Sequence, residues 1–196
     1  DEQVERLITA LDASPLRDNT IVVLWSDHGW HLGEKQHWHK STLWENGTRV
    51  PLILIAPGVT EPNSRCTRPV GLIDIYPTLV DLCGLSAPHQ PLDGLTLRPQ
   101  LDDPTTPRER PVLITYGRGN HAVRSDRWRY IRYSGGGEEL YDHTVDPHEW
   151  TNLIGDEQYA SLVAELRERL PEEESDGVPA KGAYRFDPEK YEWERK

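Results

Sequence analysis

The chain has 196 residues, 28% of them charged, with a net charge of −11 at neutral pH and no methionine. That charge excludes non-specific nucleic-acid binding, which needs a broad basic surface to release counterions, although a local cationic pocket for one anionic group stays open. No apolar run approaches the roughly 20 residues of a membrane-spanning helix, and the absence of methionine together with an opening in mid-helix leads to the expectation of a fragment, the C-terminal part of something longer.

Residues 1–13 place Val4, Leu7, Ile8 and Leu11 at helical spacing, which predicts an amphipathic helix. After the Asp18-Asn19 turn, Thr20–Trp25 is a continuous β-branched run, the composition of a strand buried on both faces. Helix followed by strand predicts an α/β fold with a parallel sheet. Ser26–Gly29 then falls at the strand's C-terminal end, where open α/β sheets place their ligands. Residues 30–49 are polar and rich in aromatics and histidine, and Val50–Ala56 is a second buried strand closed by Pro57-Gly58. Ile73–Leu82 reads as a helix with Gly84, after Cys83, as its C-cap. Pro88–Pro111 shows no clear element.

Beyond Pro111 the texture changes. Val112–Tyr116, His121–Ser125, Trp128–Tyr133 and Glu139–Tyr141 are short strands separated by turn residues, an antiparallel meander. Tyr159, Leu162, Val163, Leu166 and Leu170 predict a final amphipathic helix over 156–170, and 171–196 is a charged, proline-punctuated extended arm. The chain thus divides into an α/β part (1–110), a small antiparallel sheet packed by one helix (111–170) and a tail (171–196). Cys66 and Cys83 make neither a zinc pattern nor a disulfide framework and read as two buried thiols.

Four of the eight histidines (His28, His31, His37, His39) fall within twelve residues, beside Asp27 and Lys40. Asp27-His28 is the sharpest pair, because a carboxylate and an imidazole at a strand end can both reach one divalent cation. Asp suits Ca²⁺ or Mg²⁺, and His-rich sets suit Zn²⁺ or Mn²⁺. Gly29 allows a tight backbone path next to it. Lys40 has enough loop to fold back into the same cleft and offer a point charge to an anionic oxygen. His37 and His39 alternate around Trp38 and point apart in an extended segment; either one is a candidate general acid. The spacing of the four histidines fits no standard zinc finger. Arg49 is placed to pair with Glu45, and Arg124, Arg127, Arg129 and Arg132 read as a solvated strand face, with a basic substrate face as the alternative.

At this point the residues carry a family. Ser26 to Gly58, S-D-H-G-W-H-L-G-E-K-Q-H-W-H-K-S-T-L-W-E-N-G-T-R-V-P-L-I-L-I-A-P-G, resembles the C-terminal signature of type I sulfatases in the alkaline-phosphatase superfamily. The H-L-G-E-K run is most similar to the iduronate 2-sulfatase branch and its bacterial relatives. The likeness continues through G-L-I-D-I-Y-P-T-L-V-D-L-C-G-L (71–85) and E-L-Y-D-H-T-V-D-P-H-E-W-T-N-L (139–153). The resemblance implies an alkaline-phosphatase-like sheet and a sulfuric ester hydrolase that acts on a sulfated carbohydrate with Ca²⁺. It also implies Asp27 and His28 as metal ligands and Lys40, in the W-x-K segment, on the sulfate and leaving oxygen. His37 is the candidate catalytic acid, and Trp30, His31, Trp38 and His39 are candidate pocket residues. By the same analogy the protein is periplasmic, secreted or lysosomal.

The family nucleophile, a formylglycine made within a C-x-P-x-R type motif, has no counterpart here: Cys66 is followed by Thr-Arg-Pro and Cys83 by Gly-Leu-Ser. Half an active site is therefore expected, inactive alone and completed by an N-terminal part. Two rivals stand beside this reading. One is a metal-dependent phosphodiesterase or phosphonate monoester hydrolase of the same superfamily; the other is a non-catalytic sulfoglycan-binding remnant.

Overall fold

A computed structural model describes all residues except 87, 173, 175–183 and 196, together with all side chains among them except those of 193 and 195. Helix α1 (Glu2–Asp12) leads through a turn into strand β1 (Val22–Trp25). Between β1 and β4 (Leu52–Ile55) the chain makes a two-residue β-ribbon, β2 (His31–Leu32) with β3 (Trp38–His39), joined by a 3-10 turn at Glu34–Gln36, and then a short helix, α2 (Glu45–Thr48). Helix α3 (Ile75–Leu82) follows, and the Pro-rich stretch holds a short helix, α4 (Arg98–Asp102), started by Pro99. Proline suits a first helical turn because the N–H it lacks has no partner there.

The expected parallel pairing is corrected. Strands β1 and β4 pair antiparallel, Val22 opposite Ile55 and Trp25 opposite Leu52. The intervening loop returns directly along β1, without the helical crossover that parallel strands require. The strands are also not buried on both faces: Trp25, Ile53 and Ile55 are about half exposed, because a two-stranded ribbon is covered on one side only.

The meander is present, as β5 (Val112–Thr115), β6 (His121–Arg124), β7 (Trp128–Arg132) and β8 (Glu138–Asp142), consecutive and antiparallel. Its period-2 alternation gives it two different faces. Val123, Tyr130 and Leu140 point to α5 (Ala160–Arg167) and pack with Val163, Leu166 and Leu170. Ala122, Ile131 and Tyr141 point the other way and enclose Leu43, with Trp44 beside it. The sheet therefore has a helix on one face and the loop between β3 and β4 on the other.

Of the segment expected as an extended arm (171–196), residues 173, 175–183 and 196 lie outside the described residues. Glu174 accepts from the Gly119 N–H at 2.7 Å and lies 3.1 Å from His121 Nε2, and β9 (Tyr184–Asp187) pairs antiparallel with β10 (Glu192–Arg195). Both cysteines are free and, contrary to expectation, exposed. Among the described residues no helix is long and apolar enough to cross a membrane.

Candidate functional site

The β1 strand ends at Trp25 and delivers Asp27 and His28 into a cleft of about 1210 Å³ lined also by Lys40, Ser41, Arg124 and His143. Gly29 makes this exit possible. Its N–H donates to the Gly47 carbonyl at 3.0 Å, and a Cβ added there would lie 2.0 Å from the Asn46 carbonyl oxygen. The glycine is demanded by this close approach of two backbones.

Three residues singled out in the sequence converge here. Lys40 Nζ stands 2.9 Å from His28 Nε2, and Asp27 Oδ2 is 3.5 Å from the same nitrogen. His28 Nδ1 is 2.8 Å from the Gly29 carbonyl, so its proton belongs on Nδ1 and its Nε2 lone pair faces Asp27 and Lys40. Lys40 is bent back by its neighbours: His39 and Ser41 both hold positive φ, 73° and 76°. Non-glycine residues adopt this region at a cost, and such strain collects at functional sites.

The other histidines and aromatics divide into two groups. Trp30 is about half exposed, stacked on His28 with centroids 6.0 Å apart and edge-on to His39 at 5.2 Å. Trp38 is also exposed and lies over Gly33. By contrast His31, expected in the pocket lining, is 1% exposed. Its Nε2 meets the Thr42 hydroxyl at 2.8 Å, and burial and the adjacent His37 push its pKa down. Its ring supports the loop from beneath and does not face the cleft. His37, the candidate acid, packs edge-on against His31 and Trp44, with Nε2 3.3 Å from the Lys40 carbonyl. It is turned toward the backbone of the loop.

The arginines of the meander require a further correction. Arg129 is 1% exposed, not solvated. Its guanidinium donates to the Leu43 carbonyl at 2.7 Å, pairs with the Glu45 carboxylate, and lies 2.6 Å from Glu149 Oε1. Arg124 reaches Glu45 at 3.4 Å and His143 Nδ1 at 2.9 Å. Glu45 is therefore paired with these two residues, whereas the Arg49 side chain is exposed and forms no ion pair among the described residues. Burial raises the pKa of Glu45, but Arg129 and Arg124 outweigh it and hold the carboxyl below its usual range. Arg127 does behave as a surface residue, half exposed, bound to Asp142 and stacked on Trp128, and Arg132 is half-buried. Arg124 and Arg129 oppose each other on one face of the sheet, and their carboxylate partners, Glu45 and Glu149, lie too far along the chain for spacing to reveal.

Two places offer donors for a cation. At the first, the Asp27 carboxylate is mostly exposed beside His28 Nε2, which here accepts from the Lys40 ammonium; once Lys40 turns to an anion, a hard oxygen and an imidazole nitrogen remain that fit a divalent ion. At the second, Glu45, His143 and Glu149 bring ligand-type atoms within 4.8 Å of one another. That cluster does not fit an ion, because Arg129 and Arg124 already balance its two carboxylates.

Residues 1–85 match the protein-family model described as Sulfatase. The chain is 39% identical over 171 residues to a sulfatase of Formosa agariphila, covering 87% of this chain and 33% of that protein. It is 32% identical over 183 residues to a Δ4,5-hexuronate-2-O-sulfatase of Bacteroides thetaiotaomicron, covering 86% and 37%. Among solved structures, one in complex with its substrate D-glucosamine-2-N,6-O-disulfate aligns with a TM-score of 0.75 at 28% identity, covering 86% of this chain and 37% of that one. A phosphonate monoester hydrolase of Agrobacterium radiobacter aligns with a TM-score of 0.73 at 27% identity over the same shares. The chain spans about a third of the length of the curated relatives it matches.

Proposed function

We propose that this chain, which corresponds to the C-terminal region of type I sulfatases, supplies the substrate-sulfate side of the active site of a sulfuric ester hydrolase acting on a sulfated carbohydrate. The observation that carries the reading is the convergence of Asp27, His28 and Lys40 at the end of β1. In this reading Lys40 binds a sulfuryl oxygen and stabilises charge developing on the leaving oxygen, an electrostatic role for a positioned point charge. Asp27 and His28 Nε2 would hold the divalent cation, Ca²⁺ by family resemblance, once Lys40 has turned from Nε2 to the sulfate, and the ion would supply Lewis-acid neutralisation of the sulfate oxygens. Trp30 and Trp38 offer exposed aromatic faces for a sugar ring, with His39 at the edge of Trp30. His37 holds the Lys40 carbonyl, and this backbone contact takes precedence over proton transfer in our reading.

The substrate class rests on two supports: the resemblance of the H-L-G-E-K run to iduronate 2-sulfatases, and the similarity to a relative named for hexuronate 2-O-sulfate. The nucleophile belongs to residues outside this chain, since neither Cys66 nor Cys83 stands in a formylglycine motif. The chain by itself is accordingly inactive.

The test is sulfate release from a 2-O-sulfated hexuronate disaccharide by the full-length protein, read by ion chromatography. Release that is lost in Lys40→Ala supports the proposal. The similarity to a phosphonate monoester hydrolase favours the second reading. Turnover of phenylphosphonate monoesters without sulfate release would establish it. Tight binding of sulfated oligosaccharide with no turnover of either ester would instead mark a binding remnant.

A further inference from the structure

The loop that carries Lys40 is fastened to the meander at both shoulders, and one residue, Glu149, makes contacts at each. On the upstream shoulder, the Lys35 ammonium donates to the Tyr141 hydroxyl at 3.0 Å and to the main-chain carbonyl of Glu149. On the downstream shoulder, Glu149 Oε2 accepts the Glu45 N–H at 2.8 Å, at the start of α2. Glu149 Oε1 lies 2.6 Å from Arg129 Nε, and Arg129 in turn donates to the Leu43 carbonyl at 2.7 Å. His143 Nε2 completes the shell of Glu149 at 2.9 Å. The residue is 1% exposed and holds φ at +60°, a conformation that only a strongly determined environment maintains for glutamate.

We propose that Glu149 is a positioning residue for Lys40, and that the antiparallel sheet is the template holding the lysine's loop closed against His28. The inference rests on the role given to Lys40 above. Lys40 lies between the two fastened points, Lys35 and Leu43–Glu45, in a stretch with positive φ at His39 and Ser41. Such a stretch does not keep its curvature unless its ends are held. A loop tied by buried, charge-balanced bonds presents its ammonium in one place, and a displacement of about 1 Å from that place can cost about a hundredfold in rate.

The experiment combines hydrogen exchange with kinetics in the longest natural form of the polypeptide. Two variants are used: Glu149→Gln, which removes the charge and keeps the shape, and Lys35→Met, which releases only the upstream shoulder and retains an apolar stem over Trp44 and Tyr141. Amides of residues 37–48 should exchange at least tenfold faster in both, while those of β6–β8 keep their protection. For a sulfate ester, kcat should fall about tenfold or more in Glu149→Gln, yet less than twofold when Lys40 is already alanine. Unchanged exchange over 37–48 in both variants overturns the proposal. So does a Glu149→Gln loss of the same size with and without Lys40, because a general folding role would multiply with the loss of the lysine. If the unmodified protein releases no sulfate, the sulfatase reading fails, and the exchange result alone decides whether Glu149 holds the loop.

Discussion

The ammonium of Lys40 stands 2.9 Å from Nε2 of His28, although twelve positions separate them in the chain. The contact uses the ring nitrogen that carries the lone pair, because Nδ1 is engaged with the Gly29 carbonyl, and that lone pair accepts from the ammonium. Under the proposed function, this contact brings a candidate cation ligand and a candidate anion-binding ammonium to one point in space.

Replacing Lys40 with alanine in the full-length protein should lower kcat/KM for a sulfate ester by about 10²–10³, the usual effect of removing one electrostatic stabiliser of a transition state. Lys40→Arg should recover only part of it, since a planar guanidinium does not reproduce a compact ammonium. Sulfate release kinetics measure both. Alanine activity within twofold of the unmodified protein contradicts the role.

Replacing Gly29 with alanine should destabilise the fold by about 1–3 kcal/mol, the range for overpacking. The new Cβ would sit 2.0 Å from the Asn46 carbonyl and 2.9 Å from that of Arg49, both rigid backbone atoms. Gly135→Ala is the control: nothing lies within 4 Å of its added Cβ, and the change should stay within about 0.5 kcal/mol. Urea denaturation midpoints separate the two.

Acid should weaken the sheet in a defined window. Hydrogen bonding from Arg127 draws the Asp142 pKa from 3.8 down to about 2, against burial and with help from Thr144. Glu45 is also held low, by Arg129 and Arg124 against burial. A carboxyl depressed in the folded state contributes stability above its unfolded pKa and loses that contribution as pH falls through the folded value. Stability should therefore decline from about pH 5 toward pH 2. Asp142→Asn should flatten that slope in denaturation midpoints recorded across the range. An unaltered slope would remove Asp142 from the account.

Leu140→Ala should cost about 2–5 kcal/mol, because Leu140 is fully buried between Tyr130 and the helix residues Val163 and Leu166 and leaves a cavity there. Ile53→Ala, at a side chain 52% exposed, should cost less than about 1.5 kcal/mol. Equal losses in thermal or urea unfolding would mean that the meander and helix are not the stable core.

What the sequence determined by itself was local. Period-2 alternation specified the four strands of the meander, helical periodicity specified the ends of α1, α3 and α5 to within a few residues, and the run into Asp27-His28 placed two candidate ligands at a strand end. These signals survive in one dimension because they depend on neighbours a few positions apart. The direction of β4 against β1 did not, since a β-branched run is compatible with either pairing and only the path of the loop decides. Arg129 was misread for the same reason. Its alternation with Tyr130 identifies a face, but that face becomes an interior only when Leu43 and Glu45 arrive from more than 80 residues upstream. His31 went the opposite way, from a pocket candidate to a buried support, because Thr42, His37 and Trp44 close over it. Lys40 reaches His28, and Glu149 holds both shoulders of its loop, through contacts that tertiary packing alone brings together. Chemistry was legible where it followed strand geometry, and the positioning of that chemistry was decided by charges whose partners lie in another part of the chain.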